Sequence, residues 1–252
     1  MKNDDETALR LDKALVLQKL VPSRTRAVML IKDGGVSVNG KIIIEPDHNI
    51  AETDIILLVT EDIPWVSRGG LKLDHALSHW NIDVVGKTVL DIGASTGGFT
   101  DVLLSRGAKK VYALDVGHGQ LAEKLKKDPR VVCMEGVHIK DVSVTDFTEP
   151  IELIVVDVSF ISLAHVLPKI KEILTPGGET VVLVKPQFEV GKDFIKKGVV
   201  KNPALHLHVL TEIALRAKGL GFIVSEPLPS PILGGDGNKE FLLHMKFSEG
   251  SI

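Results

Sequence analysis

Seven short apolar runs alternate with stretches of helical pattern in the larger, later part of the chain, and this alternation limits the fold more than any other feature. The runs lie at 88–90, 110–114, 130–134, 151–156, 180–184, 222–224 and 241–246. Strands that alternate with helices form a mostly parallel sheet with helices on both faces, because each parallel crossover needs a long connection. The sequence therefore predicts an α/β domain whose ligands bind beyond the carboxyl ends of its strands.

A glycine-rich turn follows the first run, where residues 91–100 read D-I-G-A-S-T-G-G-F-T. Glycines let a backbone come close to a ligand, but tight packing of the turn itself would equally require them. The pattern is not the G-x-G-x-x-G of dinucleotide enzymes, and no Lys-Ser/Thr pair of a P-loop follows. The candidate ligand-binding residues here are Asp91, Gly93, Ala94, Ser95, Thr96, Gly97, Gly98 and Phe99.

Polar residues also follow the next two strands. Asp115 comes about twenty residues after the glycine turn, where an acidic side chain can bond the two hydroxyls of a ribose. The alternative is that Asp115 only caps the following helix. Glu135 and His138 follow the third strand. We expect these two residues to contact the adenine end of a nucleoside-containing cofactor.

Four further charged residues are candidates for the chemistry of the site. They are Lys72, Asp157, Lys185 and Glu240. Asp157 and Lys185 each end an apolar strand, where a charge is useful at a ligand crevice and unfavourable elsewhere. For each residue taken alone, an ordinary surface ion pair is the alternative.

The first sixty residues have a different pattern. Two short helices are expected, at 9–20 and from Ser23 towards Lys32, followed by a hairpin that turns at Asn39-Gly40 and a strand at 55–59. The sequence thus predicts a small α+β unit ahead of the α/β domain. We place the units at 1–62 and 71–252, joined by a linker at 63–70.

Bulk composition limits the possible partners and compartment. The net charge is −3, so binding to nucleic acid needs a local basic cluster. Residues 1–6 are acidic, and no apolar stretch reaches membrane-spanning length, which favours a cytoplasmic protein without a membrane span. No Cys/His cluster offers a metal site. The lone Cys133 lies in an apolar run and is expected to be a buried, reduced thiol.

These motifs together are similar to the TlyA family of 2′-O-ribose RNA methyltransferases, which share an FtsJ-type Lys-Asp-Lys-Glu tetrad. The resemblance spans nearly the whole chain. The matching segments include 10–12, 38–40, 67–70, 91–100, 115–117, 157–162, 185–189 and 237–242. The resemblance implies a Rossmann-like methyltransferase sheet with S-adenosylmethionine as cofactor, a small RNA-binding domain like that of ribosomal protein S-four, and ribosomal RNA or ribosomal subunits as partner.

The resemblance also implies roles for named residues. Lys185 would accept the proton of the ribose hydroxyl, Asp157 would orient Lys185, and Glu240 would pair with Lys72 to fix the ribose. The RNA-binding residues would be Arg10, Lys13, Arg24, Arg26, Lys32, Lys41 and Arg68. From composition alone a solvated helix face is the alternative, because the acidic residues Asp4, Asp5, Glu6, Asp12 and Asp33 dilute this charge.

Two other functions stay open at this point. The family's usual residues near the third strand are replaced here by E-G-V-H-I-K at 135–140. An RNA-binding protein with a catalytically weakened methyltransferase domain is therefore one alternative. The other is a membrane-active haemolysin, a label that relatives have carried, although the sequence has no clearly basic amphipathic helix.

Overall fold

The computed structural model describes residues 9–21, 23–32, 34–59, 63–191, 194–195, 198–234 and 237–248, the side chains of residues 25 and 29 excepted. The chain forms two compact units, Met1–Pro64 and Trp65–Ile252. Four of the acidic residues that were expected to dilute the basic face lie outside the described residues, namely Asp4, Asp5, Glu6 and Asp33.

The first unit packs two helices against short antiparallel strands. Its elements are β1 (Leu9–Arg10), α1 (Leu11–Leu17), α2 (Arg24–Lys32), β2 (Val36–Val38), β3 (Lys41–Ile42), β4 (Asn49–Ile50) and β5 (Ile56–Leu58). The order β3-β2-β5 forms one sheet, and β1 pairs with β4. The predicted hairpin is present: Asn39 and Gly40 have φ of 50° and 78°, the backbone that an Asn-Gly turn accommodates.

The predicted first helix is wrong at both ends. Leu9 and Arg10 form strand β1 against Asn49 and Ile50, and α1 ends at Leu17. The amide of Leu11 donates to the carbonyl of His48, so pairing with a distant segment replaces the first helical turn. Tertiary pairing of this kind overrides a local helical pattern.

The second unit is built from six helices and eight strands among its described residues. In chain order they are α3 (Gly69–His79), β6 (Thr88–Ile92), α4 (Gly98–Ser105), β7 (Lys110–Asp115), α5 (Glu123–Lys126), β8 (Val131–Glu135), β9 (Ile151–Val156), α6 (Leu163–Ile173), β10 (Leu174–Val184), α7 (Pro186–Glu189), α8 (Pro203–Gly219), β11 (Phe222–Val224), β12 (Leu228–Pro229) and β13 (Phe241–Phe247). All seven predicted strands are present.

The strands form one mixed sheet in the order β11-β13-β10-β9-β6-β7-β8, with β12 paired to β13. Strands β10, β9, β6, β7 and β8 run parallel, whereas β13 is antiparallel to both β10 and β11. The mostly parallel sheet is as predicted, and the antiparallel β13 was not foreseen.

Two apolar clusters cover the two faces of this sheet. Along β6, Val89 packs with residues of α3 and α4, while Leu90 and Ile92 pack with residues of α6 and α8. This alternation is the period of two expected of a strand that is buried on both faces. The prediction of helices on both faces is therefore confirmed.

The segment before α3 packs within the second unit. The amide of Val66 donates to Asp101 Oδ2 at 2.8 Å, and a Cβ added to Gly70 would lie 2.8 Å from the ring of Trp65. Trp65 and Val66, placed in a linker by the sequence, therefore contact α3 and α4, and Gly69 and Gly70 of the predicted linker belong to α3.

The prediction for Cys133 is wrong, because its side chain is exposed. Strand β8 is the last strand on one side of the sheet, so its apolar run is only partly covered. Among the described residues, none of the helices has the length and apolar character needed to cross a bilayer. The same residues contain no cluster of three or more His, Cys, Asp or Glu that could hold a metal ion.

Candidate active site

A cleft of about 510 Å³ opens at the carboxyl ends of β6, β7 and β9. Apolar side chains from the ends of these strands form much of its wall, and its volume is that of a small-molecule site. Four predicted cofactor-binding residues line it, namely Gly93, Ser95, Asp115 and His138. The other seven are not among its described lining residues: Asp91, Ala94, Thr96, Gly97, Gly98, Phe99 and Glu135.

Asp115 lies at the end of β7 and joins the two loops that border the cleft. Its Oδ2 accepts a hydrogen bond from the amide of Ser95 at 2.8 Å, and its Oδ1 accepts one from the amide of Gly117 at 2.7 Å. Each carboxylate oxygen has a second lone pair, so the fixed side chain can still accept from two hydroxyls. This arrangement suits a ribose.

Glu135 holds a loop beside the cleft. Its carboxylate accepts hydrogen bonds from the amides of Gly119, Gln120 and Leu121 at 3.0, 2.6 and 2.8 Å. These bonds, that from Leu121 above all, lower the pKa of Glu135 to about 2. The side chain of Gln120 lines the cleft and accepts from Ser95 Oγ. Glu135 thus borders the cleft indirectly, by holding the loop that contains Gln120, whereas the sequence predicted that Glu135 contacts a ligand directly.

The glycines of the turn make room for the protein itself. A Cβ on Gly93 would meet the backbone carbonyl of Asp157, and one on Gly97 would meet Leu125. Both glycines also have positive φ, of 87° and 98°. Of the two interpretations that the sequence left open, tight packing accounts for these two positions, while the turn still borders the cleft through Gly93 and Ser95.

Asp91 is fully buried behind this turn. Its Oδ2 accepts a hydrogen bond of 2.6 Å from Thr100 Oγ1, and its Oδ1 has no partner among the described residues. Burial raises the pKa of Asp91 to about 7, and the nearby charges of Asp157 and Asp115 act in the same direction. A buried carboxyl with an unsatisfied oxygen thus lies directly behind the cleft.

Lys185 forms the first of two ion pairs at this edge of the sheet. Its Nζ lies 2.6 Å from Asp157 Oδ1 and donates a hydrogen bond to Ser159 Oγ at 3.0 Å. The Lys185 side chain is only 12% exposed. Pro186 follows at the first position of α7 and keeps Lys185 in an extended conformation, which directs the chain out of β10.

Lys72 and Glu240 form the second ion pair, as expected. Lys72 Nζ donates to Glu240 Oε2 at 2.6 Å, and both side chains are at least nine-tenths buried. Gly234 packs against this pair, because a Cβ there would lie 2.5 Å from Glu240 Oε1. The sequence analysis missed Gly234, since only the tertiary structure brings it to Glu240.

The register of the sheet places three of these four residues side by side. Val184 pairs with Phe241, so Lys185 and Glu240 leave their strands at adjacent points. Val182 pairs with Val156, which brings Asp157 to the same edge. Lys72 reaches this edge from α3 through its bond to Glu240. The structure therefore brings the four predicted residues together as two ion pairs at this edge of the sheet, and Asp157 also lines the cleft.

Phe160 is a site residue that the sequence analysis quoted within a motif but did not single out. It lines the cleft, is 92% exposed and has a φ of 64°, which is strained for a residue other than glycine. Its ring centroid lies 5.0 Å from that of Phe188, and Lys185 Nζ lies 5.9 Å from the Phe188 ring. An aromatic pair made of the exposed Phe160 and the partly buried Phe188 therefore adjoins the Lys185 amine.

The predicted RNA-binding residues divide into groups. In the first unit, Arg10, Arg24 and Lys32 line one concave surface. Lys13 and Lys41 are exposed elsewhere on that unit, and Arg26 is partly buried. Arg68 is partly buried just before α3 in the second unit.

Comparison with known proteins assigns both units. Residues 65–247 match the FtsJ-like methyltransferase family, and residues 9–56 match the S4 domain. The chain is 44% identical over 239 residues to YqxC of Bacillus subtilis, provisionally named an rRNA methyltransferase, with 94% of this chain and 85% of that protein covered. It is 42% identical over 239 residues to TlyA of Mycobacterium tuberculosis, named a 16S/23S rRNA (cytidine-2′-O)-methyltransferase, with 94% and 89% covered.

A solved structure agrees with this assignment. A Streptococcus thermophilus protein, provisionally named a hemolysin, superposes with a TM-score of 0.78 and 42% identity, covering 96% of this chain and 90% of that one. The chain therefore belongs to the FtsJ-like methyltransferase family, whose methyl donor is S-adenosylmethionine, and it carries an S4 domain in its first unit.

Proposed function

We propose that this chain transfers a methyl group from S-adenosylmethionine to the 2′-hydroxyl of a cytidine in ribosomal RNA. The observation that supports the proposal is the pair of ion pairs at one edge of the sheet, Lys185–Asp157 and Lys72–Glu240, of which Asp157 also lines the cleft. The TlyA relative is named for this reaction, which supports the choice of nucleotide and RNA. The substrate implies a cytoplasmic location.

The residues of the cleft fit the donor. Asp115 is fixed by two backbone amides and can accept from both ribose hydroxyls. Ile139 and Leu114 offer apolar wall to an adenine ring, with His138 next to them. The Asp157 carboxylate can face the positive charge on the sulfur of the donor. When bound, S-adenosylmethionine supplies an activated methyl group on a cationic sulfur.

Lys185 is the proposed acceptor of the hydroxyl proton, a role that requires its amine to be uncharged when the methyl group is transferred. A ribose hydroxyl is a weak nucleophile unless its proton leaves as the methyl group is attacked. Asp157 and Ser159 hold the Lys185 amine in place from two sides. The Lys72–Glu240 pair, buried and rigid, would hold the ribose so that its oxygen meets the methyl carbon in line.

Transfer of tritiated methyl groups from the donor to ribosomal subunits tests the proposal. Wild-type protein should label RNA at a 2′-O-methylcytidine, and Lys185→Ala should lower the rate by about 10²-fold or more, the range of general-base contributions. Lys246→Ala, which removes an exposed lysine of β13, is the matched control and should retain wild-type turnover. Donor binding by calorimetry should persist in Lys185→Ala, which separates loss of chemistry from loss of fold.

Three outcomes would contradict this function. One is wild-type turnover by Lys185→Ala. Another is RNA binding by the wild-type protein without methyl transfer, which would favour the alternative of a weakened methyltransferase domain. The third is leakage of dye from phospholipid vesicles in place of RNA labelling, which would favour the haemolysin.

A further inference from the structure

We propose that Asp12 is a positioning residue that holds Arg10 and Arg24 in the orientation in which they bind RNA phosphates. Sequence composition counts Asp12 among the acidic residues that weaken a basic face. The structure gives this carboxylate a different environment from that of a solvated acid. The inference rests on the proposed RNA substrate and concerns the first unit alone.

The Asp12 carboxylate is enclosed by the two arginines. Its exposed fraction is 0%, and the Asp12 amide donates to the carbonyl of Pro46 at 3.0 Å, which fixes the backbone. Arg10 donates from Nε to Oδ1 at 3.1 Å and from Nη2 to Oδ2 at 3.0 Å, a bidentate pair. Arg24 donates from Nε to Oδ2 at 2.9 Å. The Arg10 hydrogen bonds, and then those of Arg24, hold the pKa of Asp12 below its usual range.

Both arginines keep N–H donors that can bind a phosphate. Each guanidinium has five N–H donors, and the contacts with Asp12 use those at Nε and Nη2. The Arg10 and Arg24 side chains are 39% and 57% exposed. A planar guanidinium that is already fixed loses less entropy when it binds a second oxygen anion than a free side chain does.

The two arginines share a concave surface with a third cation. The surface is lined by Arg10, Asp12, Arg24, Val28, Lys32, Pro46 and Asp47. Three cations around one concavity on a protein of net charge −3 form the local basic cluster that nucleic-acid binding requires. RNA phosphate oxygens, which accept bidentate hydrogen bonds from arginine, match this donor set.

Asp47 provides a matched control for Asp12. It lines the same surface and contributes to the electrostatic environment of Arg10, but it is exposed and does not take part in the hydrogen bonds that hold Arg10 and Arg24 to Asp12. Asp12→Asn and Asp47→Asn each remove one negative charge. If both acids only dilute the positive charge, both variants should bind RNA more tightly. If Asp12 positions the arginines, the two variants should change affinity in opposite directions.

The test is fluorescence anisotropy of the full chain with a fluorescein-labelled ribosomal RNA transcript at a series of KCl concentrations. We expect Asp12→Asn to weaken binding by roughly tenfold and to reduce the slope of log K against log salt by about 1 to 2, one unit for each arginine that no longer binds a phosphate. Asp47→Asn should strengthen binding about twofold with the slope unchanged. If Asp12 only stabilised the fold, Asp12→Asn would lower the thermal stability, and the folded variant would bind RNA with the same salt slope as the wild type.

If Asp12→Asn does not fold, Asp12→Glu replaces it, because this variant keeps the charge and moves the carboxylate by one methylene. It should weaken binding although the net charge is unchanged. The inference is overturned if Asp12→Asn binds as tightly as Asp47→Asn, if Asp12→Glu binds like the wild type, or if the wild type binds no RNA. RNA binding that responds as expected in a protein without methyl transfer would leave this inference standing and reject only the proposed function.

Discussion

Asp91 illustrates how burial changes the chemistry of a single residue. Its carboxyl is fully buried, and its pKa is about 7 where an unfolded Asp titrates near 3.8. Between these two values the folded state binds more protons than the unfolded state, so the free energy of unfolding falls as pH rises. The stability that comes from the protonated form is complete below about pH 4 and is lost as pH rises through 7.

The dependence of stability on pH should therefore differ between the wild-type protein and Asp91→Asn. Between pH 5 and pH 8 the wild-type protein should lose roughly 3 kcal/mol of unfolding free energy that Asp91→Asn does not lose, since one pKa unit corresponds to about 1.4 kcal/mol. An asparagine can still accept the hydrogen bond from Thr100. Urea unfolding of both proteins at the two pH values measures the effect. Parallel pH profiles would show that Asp91 is ionised throughout.

At the scale of elements, the segment between β9 and α6 lines the cleft both with the predicted Asp157 and with residues that the sequence analysis did not single out. It contributes Asp157, Ser159 and Phe160, and it holds Phe160 in a left-handed conformation with the ring exposed. Such strain persists only where the surrounding structure fixes it, and it is common at functional sites. We expect Phe160 and Phe188 to stack with a base of the RNA next to Lys185.

Replacement of Phe160 by alanine tests this role. Base–aromatic stacking contributes about 1 to 3 kcal/mol, so the KM for RNA should rise by roughly tenfold or more. The KM for the methyl donor should change much less. Leu215→Ala, which removes an exposed apolar side chain from α8, is the control and should leave both constants unchanged. A rise in the KM for the donor without a rise in the KM for RNA would contradict this role and assign Phe160 to the donor alone.

At the scale of the whole molecule, the two units have separate cores. Leu11, Leu15 and Ile31 belong to the cluster of the first unit, while the two clusters of the second unit cover the faces of its large sheet. The described residues that line the cleft all belong to the second unit. Units with independent cores unfold as separate cooperative transitions.

Differential scanning calorimetry should therefore resolve two transitions. S-adenosylhomocysteine, the product of the donor, should raise the midpoint of the larger transition by about 5 °C at 100 times its Kd and leave the smaller one unchanged. Asp115→Asn should abolish most of this shift, because Asp115 is the proposed partner of the ribose. A shift of both transitions by the same amount would mean that the units unfold together.

The strands of the second unit and the Asn39-Gly40 hairpin could be predicted from the sequence because their signals are local. Apolar runs of strand length and turn residues with positive φ act over a few neighbouring positions. Of the four residues in the two ion pairs, Asp157 and Lys185 could be found because a charge at the end of an apolar strand is a local anomaly, whereas Lys72, in α3, and Glu240, before β13, carry no such signal. Their pairing could be expected only from the resemblance to a family.

The sequence by itself determined seven strands of the second unit, the turn at Asn39-Gly40 and which side chains can do chemistry. Only the tertiary structure decided that Glu135 holds a loop, that Asp12 lies between two arginines and that Cys133 is exposed at a sheet edge. The physical reason is distance along the chain. A carboxylate has the same local pattern whether water or a distant amide or guanidinium surrounds it, and folding alone brings that partner into hydrogen-bond range.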